Sequence, residues 1–269
     1  MSTPWGRRAR TLLCALTLPL ANAPVAAADP GPKGGPDERK SGYAFMGRET
    51  RAMQDDEIAN PATLAVLDGE LLWNRKAGAR QNACADCHGK AEVSMRGVAA
   101  RFPAFDAAHG RVLNLEQKIN ACRTDRQQAA PLAYESRDLL ALGAYLGRQS
   151  RGLPIAVKAE GPMQAVIEAG RARYVQRQGQ LNLSCAQCHE GLADRKLVGN
   201  PITQGHATGY PIYRLEWQSV GSLQRRLRNC MTGVRAEPFP YGSAQAVELE
   251  AYLMHRARGM PMETPAVRP

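Results

Sequence analysis

The sequence predicts a mainly α-helical chain made of two similar domains in tandem. Apolar residues recur at helical spacing in several segments, while little strand alternation surrounds the cysteine motifs. A pattern of glycines, aromatics and cysteines also occurs twice, at an offset that drifts only from 101 to 108 residues. The 269 residues are enough for two domains of ordinary size, and 44% apolar with 22% charged is a globular composition.

The elements follow in chain order. Arg7, Arg8 and Arg10 precede an apolar stretch, Thr11 to Ala21, and the small residues Ala26, Ala27 and Ala28. This reads as a secretory signal over residues 1–28, which implies an exported, periplasmic protein. Residues 29–44 are rich in Pro, Gly and Lys and read as a flexible lead-in. The first domain spans 45–150 and the second 151–269. In the first, Asn60-Pro61 offers an N-cap and first turn for a helix to about Lys76, with Gly78 as its stop. In the second, Gly161-Pro162 opens the equivalent helix to about Arg177. Residues 136–148 and 244–256 carry Leu, Ala and Tyr at helical spacing and form the last helix of each domain.

The duplication is detailed. Gly69 and Gly170 each lie fifteen residues before a cysteine motif, and each is followed by an aromatic, Trp73 or Tyr174. Leu115 to Thr124 matches Leu223 to Thr232. Ala144-Tyr145-Leu146 matches Ala251-Tyr252-Leu253.

Charge and cysteines narrow the function. The formal net charge is +10, and the signal accounts for three arginines. The remaining basic residues are scattered, which argues against nucleic acid and for an anionic substrate or acidic partner. No apolar run is long enough for a membrane span. Cys14 lies within the signal. The other cysteines include Cys84-Ala-Asp-Cys87-His88 and Cys185-Ala-Gln-Cys188-His189, each a C-x-x-C-H. That spacing attaches c-type haem: two thiols bond the haem vinyl groups and the adjacent His turns its imidazole to the iron. Two haems are therefore expected, on Cys84, Cys87 and His88 and on Cys185, Cys188 and His189. A thioredoxin-like pair lacks its βαβ context, and a shared zinc leaves the following histidines unexplained. With a helix before each motif and another at the domain's end, each half looks like a class I cytochrome c domain.

The distal ligand is less direct. Met95, Met231, Met254, Met260, Met262, His109 and His206 are ordinary candidates. What recurs at one place in both copies is a cysteine, Cys122 or Cys230. The two could bond each other, lie as inert thiols, or each ligate its own iron; the duplicated position favours ligation. Thiolate donation stabilises ferric iron and lowers the potential.

With two haem motifs, a downstream Cys in each half and Arg226-Leu-Arg-Asn-Cys230-Met, the sequence resembles the SoxA family, in its dihaem form, over roughly residues 45–262. The resemblance implies His/Cys ligation of both haems and makes Cys230, found as a persulfide in that family, the catalytic residue. It makes Arg226 the substrate contact. It implies a periplasmic heterodimer with a SoxX-like monohaem cytochrome c. The implied activity is that of an L-cysteine S-thiosulfotransferase, which joins thiosulfate to a cysteine of a SoxYZ-like carrier and passes two electrons to haem. The residues fit. Arg226 is four positions before Cys230, on one helix face. A guanidinium suits an oxyanion. Arg225, Arg228 and Arg235 are expected to add positive field. His206, Tyr210 and Tyr213 lie upstream, where packing roles compete with site roles. The alternative is a dihaem electron carrier without a substrate site.

Overall fold

The computed structural model describes residues 1–2 and 38–269. The predicted signal and most of the lead-in fall outside the described residues.

Each repeat is built on two helices that cross at a glycine. In the first, α2 (Thr63–Asn74) packs on α6 (Arg137–Arg148); in the second, α7 (Pro162–Val175) packs on α10 (Ala244–Arg256). A Cβ on Gly69 would lie 2.2 Å from the Ala141 carbonyl oxygen, and one on Gly170 2.0 Å from that of Glu248. No side chain fits there, so the two backbones touch. Around each crossing lie matched aromatics, Trp73 with Tyr145 at 6.1 Å and Tyr174 with Tyr252 at 5.2 Å. Leu139, Leu142 and Leu146 complete one core, and Ile167, Leu249 and Leu253 belong to the other. Serines start both final helices: Ser136 caps the Leu139 N–H at 3.4 Å and Ser243 the Ala246 N–H at 3.3 Å.

Between the paired helices each repeat runs in one order. A one-turn helix carries the C-x-x-C-H: α3 (Cys84–His88) or α8 (Cys185–His189). The short helix α4 (Ala91–Ser94) follows α3, and the two-residue pair β3 (Lys196–Leu197) and β4 (Asn200–Pro201) follows α8. Next comes an antiparallel hairpin: β1 (Ala104–Asp106) with β2 (Arg111–Leu113), or β5 (Ile212–Arg214) with β6 (Ser219–Gly221). The distal helix comes last, α5 (Leu115–Cys122) or α9 (Leu223–Gly233). The hairpins have no sequence signal, because three-residue strands are too short to show alternation. In the second repeat β7 (Ala266–Arg268) adds to β5 in parallel, Ile212 opposite Ala266.

Three expectations need correction. The helix expected from Asn60 begins at Thr63 and ends at Asn74, short of Lys76. Asn60 is buried, and its Oδ1 accepts from the Ala62 N–H at 2.9 Å. Its amide donates to the carbonyls of Gln54 and Pro265, so it joins chain segments rather than capping a helix. Gly78 is not a helix stop but a left-handed turn (φ 68°) against the Gln127 carbonyl. The end of the lead-in is anchored rather than loose. Arg39 donates to the carbonyls of Arg256 and Arg258, and the Lys40 N–H donates to Gln204 at 2.7 Å. A helix not foreseen, α1 (Arg48–Asp55), continues this path, and its Gln54 accepts from the Val267 N–H at 3.1 Å. Residues 38–55 thus pack on the second repeat, although 45–55 were expected to open the first domain.

The repeats share one compact unit. At their seam Tyr134 stacks on Tyr241 at 5.6 Å, and the Ala156 N–H donates to the Ala100 carbonyl at 2.8 Å. Glu116 of α5 and Glu250 of α10 are also brought together there. Burial pushes both carboxyls up, and their mutual repulsion pushes Glu116 further, to about 8.

Two predictions follow from this packing. Gly170→Ala forces a methyl into the Glu248 carbonyl and should destabilise the protein by about 1–3 kcal/mol in denaturant titration. The raised carboxyl binds its proton more tightly folded than unfolded. Stability present below its ordinary value of 4.5 is therefore lost as pH rises through about 8. Denaturation midpoints across that window should fall, and Glu116→Gln should flatten the trend.

Candidate functional site

The C-x-x-C-H helices are set up by local capping. Ser184 Oγ accepts from the Gln187 N–H at 3.2 Å while the Gln187 side chain accepts from the Ser184 N–H at 2.8 Å. Before α3, Ala83 supplies no side-chain cap, but Asp86 accepts from the Ala83 N–H at 2.8 Å. In one helical turn, both thiols and the imidazole then leave one short segment.

In the second repeat His189 and Cys230 meet. His189 Nδ1 lies 2.7 Å from the Thr203 carbonyl, which orients the ring. Gly205, with φ 73°, approaches so closely that a Cβ would lie 3.0 Å from the imidazole. Burial alone would push the Cys230 thiol up. A hydrogen bond from His189 and the charges of Arg226, His189 and Arg214 outweigh it and hold the thiol below its usual range. Arg226 is largely desolvated, yet the Cys230 sulfur and Tyr210 keep its guanidinium charged. Tyr210 is buried against the same pair, and its phenol is pushed up by that burial. His206 is buried near His189 and Arg256 and held neutral, at about 4.

The first repeat keeps the layout, but there burial outweighs the nearby positive charges of Lys118 and Arg126. Trp73 donates its indole N–H to the Gly89 carbonyl at 3.0 Å and lies 5.7 Å from the His88 ring. Burial pushes Cys122 and Cys84 up, and Cys122 adds to the effect on Cys84. The residue matching Arg226 is Lys118, which acts to lower Cys122 but is paired with Asp106 at 2.6 Å. His109 is held by Asp106 at 2.9 Å and Asp125 at 3.2 Å.

Several candidates separate on this evidence. The six cysteines Cys84, Cys87, Cys122, Cys185, Cys188 and Cys230 are all free, so Cys122 and Cys230 are not bonded to each other. Among the described residues no cluster of three or more His, Cys, Asp or Glu could hold a metal ion, which leaves the zinc alternative without a site. Met231, Met254, Met260 and Met262 are buried in the second repeat, and Met95 packs in the first core. Arg225 and Arg228 do not supply the expected field at Cys230. Arg225 lies over Trp217 at 4.3 Å and Arg228 over Tyr241 at 4.7 Å. Helical geometry explains this, since offsets of five and two residues leave the Cys230 face. Arg214, sixteen residues upstream, takes their place, brought in by the β5 hairpin. Its Nε donates to the Pro269 carbonyl at 2.8 Å, and Glu216 pairs with it at 2.7 Å. No spacing rule pointed to it. Tyr213 lies on β5, paired in the sheet.

The residues fit a c-type haem. Each motif presents two free thiols and a His on one turn. Beside the second motif, the buried Tyr174 hydroxyl and His206 Nδ1 have no partner, and Arg256 lies 4.7 Å over the Tyr174 ring. Such unpaired polar groups suit a group with its own acceptors.

A duplicated helical pair around C-x-x-C-H defines a c-type cytochrome. The SoxA/TsdA cytochrome c domain model matches residues 68–155 and 169–262, and the chain belongs to that family. It is 38% identical over 232 residues to the L-cysteine S-thiosulfotransferase subunit SoxA of Rhodovulum sulfidophilum, covering 86% of this chain and 81% of that one. It is 35% identical to the SoxA of Paracoccus pantotrophus, over 85% and 78% of the two chains. Among solved structures, that of SoxXA from P. pantotrophus superposes with a TM-score of 0.83 at 34% identity, covering 86% of this chain and 87% of that one.

Proposed function

We propose that the chain is the L-cysteine S-thiosulfotransferase subunit SoxA of a periplasmic sulfur-oxidising system, and that it carries two haems. One is held by Cys84, Cys87, His88 and Cys122, the other by Cys185, Cys188, His189 and Cys230. The observation that carries the reading is the contrast between the distal cysteines. Cys230 sits with His189, Arg226 and Arg214, whereas the basic residue four positions before Cys122, Lys118, is paired with Asp106 at 2.6 Å.

Thiosulfate is a small dianion, and Arg226 supplies a charged fork on the face of Cys230. The Cys230 sulfur, as thiolate or persulfide, takes up the sulfane sulfur and presents it to the carrier cysteine. Overall, one S–S bond forms between the carrier thiol and thiosulfate, and one proton and two electrons leave. When bound, haem supplies one-electron acceptors for that pair. Tyr210 and the close approach of Gly205 help exclude water around the sulfur. A SoxX-like monohaem cytochrome c is the partner and electron exit, and a SoxYZ-like protein is the carrier. Among the described residues no helix is long and apolar enough to cross a membrane.

Two measurements test this. The pyridine haemochrome of the purified protein should report two haems, falling by half when Cys185 and Cys188 are both replaced by Ala. Thiosulfate coupling to the carrier should be lost in Cys230→Ala. In Arg226→Gln it should fall about 10²-fold or more in kcat/KM, for loss of one charged contact in a desolvated site. Undiminished coupling by Cys230→Ala would remove Cys230 from the catalytic role.

A further inference from the structure

A single buried carboxylate oxygen joins the two distal helices. Glu250 Oε2 accepts from Asn114 Nδ2 at 3.1 Å and from Gln224 Nε2 at 3.0 Å. Asn114 is the N-cap of α5, where its Oδ1 holds the Gln117 N–H at 2.9 Å. Gln224 is the second residue of α9, and its own oxygen accepts from the Gly242 N–H at 2.8 Å. All three are buried, Glu250 at 8%, Asn114 at 0% and Gln224 at 2% exposure. One helix ends in Cys122 and the other carries Cys230. From each tie to its cysteine is about 9–12 Å of rigid helix, so a rotation at the tie is carried to the sulfur.

The duplication supplies a control. Aligning Tyr145 with Tyr252 places Gly143 opposite Glu250. The carboxyl is therefore no part of the design the repeats share; it is present only in the second, at the seam. A buried carboxyl hydrogen-bonded to amides, with Glu116 close by, is a poor way to gain stability, because desolvation opposes it. Directional hydrogen bonds do fix relative orientation, which an apolar contact does not.

We propose that Glu250 is a positioning residue that sets the orientation of both distal helices, and so aligns each distal sulfur against its own proximal histidine. This rests on the reading of Cys122 and Cys230 as distal ligands. Glu250 touches neither sulfur, and the link runs through Asn114 to the first repeat and through Gln224 to the second.

The test is electron paramagnetic resonance on the oxidised, haem-loaded chain. Wild-type protein should give two low-spin signals of His/thiolate type; their absence defeats the ligand reading and not the tie. In Glu250→Leu both signals should shift. A shift at the first haem from a change in the second repeat is the result that local damage cannot produce, and an unmoved first signal overturns the proposal. Glu250→Gln keeps an acceptor oxygen and should restore both signals; a spectrum as disturbed as that of the Leu variant also overturns it. Asn114→Ser, which retains a capping oxygen but loses the donor, should move the first signal alone. Gln224→Met should move the second alone. If Glu250→Leu does not accumulate, these two decide, and the proposal fails if neither moves its signal.

Discussion

Backbone contact at one glycine in each repeat is the constraint from which the rest follows. Because Gly69 and Gly170 let the first and last helices of a repeat touch, the two helices make a rigid frame of fixed spacing. The C-x-x-C-H turn hangs from one end of that frame and the distal helix closes across it. A second close approach repeats the device: Cβ atoms on Gly78 and Gly179 would each lie 2.1 Å from a carbonyl, of Gln127 and Val234, in the chain just after the distal helix. The segment leading into each haem motif is thus held against the segment leaving each distal cysteine. Two contacts without side chains determine where a sulfur can stand relative to an imidazole.

On this common frame the two sites have diverged through a few charges. Lys118 and Arg226 occupy the same position, four residues before a cysteine. Asp106 on the first hairpin pairs with Lys118. The second hairpin brings Arg214, itself paired with Glu216 at 2.7 Å, and its charge and that of Arg226 lower the Cys230 thiol. Guanidinium charge in a desolvated pocket acts strongly on a thiol. The two cysteines therefore sit in unlike fields, although the backbones of the repeats are alike.

The second repeat also gathers elements the first lacks. Strand β7 joins its sheet, and residues 38–60 pack on the second repeat through Gln54, Asn60 and Arg39. Arg268 of β7 reaches both Gln54 and Glu263. The hairpin that carries Arg214 is thereby buttressed from two sides. A precise site needs its supporting shell held in this way.

Periodicity and local motif were enough to read the helical class and the tandem duplication, because the two copies check each other. The four framing helices were legible to within a few residues, since their apolar faces are continuous. The short hairpins were not, because three-residue strands carry no pattern. Arg214 and the tie at Glu250 were hidden for a different reason. Their partners are distant in the chain, 55 residues to Pro269 and 136 to Asn114, and only folding brings them together. Arg225 and Arg228 show the converse: closeness in sequence suggested a shared field, while helical phase turned both toward Trp217 and Tyr241. Residue types in register can thus declare the chemistry available to a chain, whereas the sign and direction of the field at a sulfur arise from groups that sequence separation conceals.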